Sequence, residues 1–142
     1  MSIELHSYRE ESEGIEIEAR PFYVPEKSDI TNNYFFYAYQ ILIKNNSDIP
    51  VTLINRYWII RDGRGNERKV YGDGVVGQRP RLAPGKSFRY TSFCPLNTPT
   101  GNMRGKFEMM TDDGDKFWVT IPVFFFRQNI LSKPENYLDQ RV

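Results

Sequence analysis

The chain has 142 residues, a formal net charge of +1, 15% aromatic residues, one cysteine and one histidine. That length suits one domain with a core of its own, and the balanced charge gives no electrostatic footing for nucleic acid or an anionic membrane surface. A single Cys94 excludes an intrachain disulfide framework.

The first residues, to about position 12, are polar and read as frayed, without the order of a secretory signal. From Gly14, Ile15, Ile17 and Ala19 alternate with Glu16, Glu18 and Arg20, which predicts a strand with one solvated face. Pro21 places that strand at a sheet edge. Residues 34–44 (YFFYAYQILIK) are apolar on both faces and predict a central strand. Residues 51–61 (VTLINRYWIIR) form the next, with Trp58 and Ile60 opposing Tyr57 and Ile59; a turn over 62–66 leads to a short, charged edge strand over 67–71.

A glycine-rich stretch follows, then strands over 86–93 and 103–111, with a loop at 95–102 between them. A turn at Asp112-Asp113-Gly114-Asp115 leads into a last strand over 116–126, whose alternating Phe117, Val119, Ile121, Val123 and Phe125 mark it as a core member. No window carries a sustained helical period. About seven strands separated by turns predict an all-β immunoglobulin-like or fibronectin type III-like sandwich. It is expected to be a single domain over 1–142, with its core over 14–126 and a polar tail over 127–142. The apolar run 121–126 is far shorter than the roughly 20 residues a membrane helix needs, so no membrane insertion is expected and the predicted location is the cytoplasm.

The stretch Gly72-Asp-Gly-Val-Val-Gly77-Gln-Arg-Pro80, followed by Leu82-Ala-Pro-Gly85, Phe88-Arg-Tyr-Thr-Ser92 and Gly101-Asn-Met-Arg-Gly105, resembles the ApaG family. Tyr57-Trp58 and Val119-Thr-Ile-Pro-Val123 are similar to that family as well, so the likeness spans residues 14–126. The resemblance implies a fibronectin-like sandwich with no defining reaction, an association with cobalt tolerance and magnesium efflux, and, from its use as a module in larger eukaryotic proteins, a role in protein–protein interaction.

Three sets of residues are candidates for chemistry. Gly72, Gly74 and Gly77 fit the spacing of a dinucleotide fingerprint, but prolines follow where that fingerprint requires a helix, which excludes a Rossmann site. The same glycines could turn backbone amides toward an anion, with Lys69, Arg79 and Arg81 supplying charge; this is a phosphate or nucleotide site, against the alternative that the glycines serve only the loop's conformation. Asp112, Asp113 and Asp115 are candidate ligands for a hard cation, against the plainer reading of a hairpin turn. Aromatic residues on both faces of the last strand, Trp118, Phe124 and Phe126, point to an exposed patch for a protein partner or for a homodimer. His6 lies at the terminus and Cys94 has no base beside it, so the reading is a non-enzymatic module with no cofactor.

Overall fold

The computed structural model describes residues 7–128, and these form two antiparallel sheets packed face to face. The first contains β1 (Tyr8–Ser12), β2 (Ile15–Tyr23), β3 (Phe35–Asn45) and β7 (Ser87–Leu96), in the order β1-β2-β3-β7. The second contains β4 (Val51–Asp62), β5 (Glu67–Asp73), β8 (Gly101–Thr111) and β9 (Lys116–Phe126) in the order β5-β4-β8-β9, with the two-residue β6 (Arg81–Leu82) paired to the start of β4.

The all-β sandwich expected from the strand pattern is present, with nine strands rather than about seven. One addition is β1: the polar segment expected to fray pairs with β2 from Tyr8 opposite Ala19 to Ser12 opposite Ile15. The strand over 15–23 is therefore not an edge over its first half. Pro21 is tolerated because it lies beyond Ala19, the last residue of β2 that β1 covers. The segment expected as a loop after Phe93 also contracts, since β7 continues through Pro95 to Leu96.

Aromatic side chains from opposite sheets meet in the core. Tyr37 stacks on Phe126 at 4.8 Å between ring centroids, and Tyr39 meets Trp58 and Phe124 at 5.6 and 5.5 Å. Such offset and edge contacts add to the stabilisation from burial alone.

Two β-bulges set which residues reach that core. In β4 the pairing with β8 slips at Ile54, so that Val51 and Leu53 share the inner face with Arg56, Trp58 and Ile60. In β9 two residues, Pro122 and Val123, oppose Arg104 alone, because Ile121 pairs with Gly105 and Phe124 with Met103. An extra residue reverses the period-two alternation beyond it. Val119 and Ile121 are thus buried together with Phe124 and Phe126, while Val123 and Phe125 turn outward. This corrects two expectations. Phe125 and Val123 are not core residues, and Phe124 and Phe126, both fully buried, cannot belong to a surface patch.

Candidate functional site

The two flanks of the sandwich are unlike. On one, β1 and β9 lie against each other, and Ser12 Oγ accepts the Thr120 N–H at 3.0 Å. On the other, β5 and β7 leave between them a cleft of about 450 Å³, overhung by residues 75–77.

The glycine stretch builds the overhang. Val75 and Gln78 exchange both backbone hydrogen bonds at 2.8 Å, with Val76 and Gly77 at φ 42° and 77° between them. That is a tight hairpin of the type that requires positive φ at both central positions, and a β-branched valine is an unusual occupant of the first. Val76 packs against the core, which offsets part of the strain. Gly74 has φ 56°, and a Cβ there would stand 2.1 Å from the Gln78 carbonyl oxygen, so only glycine fits.

Three amides of this loop are spent internally: Gly74 donates to Ile54, Val75 to Gln78 and Gln78 to Val75, each at 2.8 Å. Of the three basic residues expected to join the glycines, only Arg79 lies beside them, its Cγ against the Gly74 position. Lys69 belongs to the outer face of β5, since Arg68 and Val70 on either side line the cleft. Arg79 reaches Asp73 at 3.4 Å. Arg81 donates twice to the Asp112 carboxylate, at 3.1 and 2.6 Å.

That pair also occupies one member of the aspartate cluster. The Arg81 guanidinium holds the Asp112 carboxyl below its usual range. Asp115 serves the turn, its carbonyl accepting from Thr111 N–H at 2.8 Å and its own N–H donating to Thr111 Oγ1 at 3.1 Å. Among the described residues no three acidic, histidine or cysteine side chains converge as a metal site, and Asp112, Asp113 and Asp115 do not fit one.

The cleft itself is furnished by residues that the sequence pattern did not single out. The bulge at Ile54 places Arg56 on the inner face, opposite Gly72. A Cβ on Gly72 would come within 2.9 Å of that guanidinium, so the glycine makes room for it. Arg56 Nη1 donates to the carbonyls of Asp73 and Gly74 at 2.7 and 3.1 Å, which ties the strand to the hairpin. Arg68 enters from β5 and interacts with the Cys94 thiol; burial still pushes that thiol up to about 11. Tyr39 and Ser92, paired across β3 and β7, and Tyr90 complete the polar lining. Burial pushes the pKa of the Tyr39 hydroxyl up to about 12, against the opposing effect of its hydrogen bond with Ser92. The Tyr90 hydroxyl is buried and has no hydrogen-bond partner among the described residues. Only the run of glycines hinted at this place; the arginine and tyrosine that matter depend on a bulge and a cross-sheet approach.

Of the expected aromatic patch, Trp118 alone is exposed. It stands on the outer face of the second sheet, where the Lys106 ammonium lies 4.5 Å from its ring centroid and 5.5 Å from that of Tyr57. Among the described residues no helix is long and apolar enough to cross a membrane.

A two-sheet antiparallel sandwich with a glycine-turned hairpin over one open flank is the class these observations define. The profile described as the ApaG domain matches residues 25–111, and the chain belongs to that family. It is 49% identical over 117 residues to the protein ApaG of Agrobacterium fabrum, covering 82% of this chain and 90% of that one. It is 47% identical over 113 residues to the protein ApaG of Anaeromyxobacter dehalogenans, covering 80% and 89%. Among solved structures it is similar to the ApaA protein from Bordetella pertussis, with a TM-score of 0.78 and 43% identity over 80% of this chain and 92% of that one.

Proposed function

We propose that the protein is a non-enzymatic interaction module of the cytoplasm, and that a partner protein docks on the outer face of its second sheet. The composition of that face carries the reading. Strand register sets Tyr71, Tyr57, Lys106 and Thr120 side by side across β5, β4, β8 and β9. Tyr71 is 62% exposed, and Trp118, Val123 and Phe125 are each between 37% and 41% exposed. A shallow groove of about 310 Å³ runs past Tyr57, Ile59, Thr120 and Val123. Exposed aromatic and aliphatic groups held in one plane are the usual anchors of a protein interface.

The partner this face suits presents an apolar side chain flanked by carboxylates. Lys69 and Lys106 stand on the face, with Glu10 of β1 at the rim of the groove, whereas Glu67 is taken by Arg104 at 3.1 Å and Glu108 accepts from Asn55 at 2.9 Å. A different protein is favoured over a second copy, because face-to-face copies would set these cations against one another. The absence of catalysis is supported by the high, buried Cys94 thiol and by the lack of any histidine among the described residues to activate it. The cytoplasm suits a chain whose single thiol is unpaired. The family's association with cobalt and magnesium is read as acting through such a partner, since the aspartates of the 112–115 turn do not converge.

The test uses the full chain as bait with chemical cross-linking, compared with the double variant Trp118→Ser/Tyr71→Ser. The expected result is one cross-linked partner whose yield falls ~10-fold or more in the variant, with an unchanged melting temperature. Equal capture by both proteins would show that the face is not the docking surface.

A further inference from the structure

The cleft on the open flank offers chemistry that the docking face does not use. Guanidinium groups from Arg56 and Arg68 line it, and among the described residues no carboxylate does. Among the described residues Arg56 is engaged through Nη1 alone, which leaves Nε and Nη2 as donors. The Tyr90 side chain belongs to a residue only 6% exposed, and its hydroxyl is the unpartnered one. Burial raises its pKa well above the ordinary phenol value, so it remains a neutral O–H donor throughout the physiological range. A buried hydroxyl with no partner is unfavourable by itself and is explained by an acceptor that arrives with a ligand.

We propose that this cleft binds a phosphate monoester, its phosphoryl oxygens received by Arg56, Arg68 and the Tyr90 hydroxyl and its organic body lying against Trp58, Val70 and Met103. Three separate donor groups suit a tetrahedral oxyanion with three terminal oxygens, whereas a planar carboxylate is satisfied by one guanidinium fork. The volume of about 450 Å³ exceeds what inorganic phosphate needs and lies within the range of small-molecule sites. The apolar wall accounts for the remainder. The site is distinct from a glycine nest, because the amides of Gly74 and Val75 already have backbone partners.

The experiment is an amide NMR titration of the full chain with phenyl phosphate, inorganic phosphate and benzoate. Saturable shifts are expected at Arg68, Tyr90, Phe93 and Cys94, with phenyl phosphate binding most tightly and benzoate least. Tyr90→Phe is expected to keep or raise the melting temperature while weakening phenyl phosphate ~10-fold, and Arg68→Gln to weaken it ~10- to 100-fold. Arg56 is not the residue to change first, since it also anchors the hairpin. Three results would overturn the proposal: no saturable shift up to about 10 mM ligand, affinity unchanged in both variants, or benzoate binding as tightly as phenyl phosphate. Trp118→Ser/Tyr71→Ser should bind phenyl phosphate like the unmodified protein, so failure here and failure of the docking face are separable outcomes.

Discussion

The two flanks of the sandwich solve the edge problem in opposite ways. Along the β1/β9 flank a short polar strand is laid against the second sheet. Ser7 and Arg9 bond to Glu18 of the adjoining β2 at 2.7 and 2.9 Å, and the Tyr8 ring meets Phe125 of β9 at 6.1 Å between centroids. Strand β1 contributes no buried side chain of its own and works as a seal over β9, which supplies Val119, Ile121, Phe124 and Phe126 to the core. Along the β5/β7 flank no strand is added, and polar groups occupy inner-face positions: Arg56, Ser92 and the unpartnered Tyr90 hydroxyl. Such groups are costly beneath a sealed edge and are tolerated beside an opening that admits water or a ligand. The difference separates a closed edge from an open one. One flank holds the sheets together, and the other keeps an inner surface within reach.

The contrast can be broken most sharply by truncating one side chain on each flank. Phe126→Ala, on the sealed side and fully buried, should lower stability by about 3–5 kcal/mol, whereas Val70→Ala in the cleft should cost about 1 kcal/mol or less. Urea denaturation of the two variants decides it, and comparable losses would mean that the open flank is as tightly packed as the closed one. A smaller effect, about 2–3 kcal/mol, is expected from Gly74→Val, because the left-handed backbone and the Gln78 carbonyl both exclude a side chain. Its amide spectrum should change over residues 74–78 and in the cleft while the β1/β9 resonances stay in place.

An effect as small as that of Val70→Ala is expected at the seal. Burial alone would raise the Glu18 carboxyl, but Ser7, Arg9 and Arg20 outweigh it and hold it below its ordinary value. A lowered folded pKa stabilises above the unfolded value, and that stability is lost as pH falls through the folded one. Glu18→Gln should therefore cost about 1 kcal/mol near neutral pH. The gap from the unmodified protein should close below about pH 4 in thermal melts. A constant gap across that range would mean that Glu18 acts by packing rather than by charge.

Much of the fold was legible because β3 announces itself. Apolar residues on both of its faces require neighbours on both sides, and it lies between β2 and β7. The family resemblance was legible in the ordered glycine and proline turns, and the ApaG profile matches that region. What escaped was of two kinds. The strand Tyr-Arg-Glu-Glu-Ser of β1 has no buried residue, so no hydrophobic pattern marks it. The bulges at Ile54 and at Pro122-Val123 each reverse the alternation within one strand. Counting every second residue across them puts Phe125 inside and Phe124 outside, and gives no sign that Arg56 faces inward. The expected phosphate residues failed for a related reason. Neighbours in sequence on a strand point to opposite faces, so Lys69 was assigned to a loop that Arg68 approaches instead.

Cys94 gives the open flank a clock. Its thiol is the only one in the chain, lies in the wall of the cleft, and is 2% exposed. A thiol reagent reaches it only when the wall of the cleft opens, and where local opening is easier than unfolding of the whole sandwich the rate of that reaction follows the flank. A ligand that fills the cleft must slow the count in proportion to its occupancy. The motion of one edge of the molecule can thus be followed without introducing any label site.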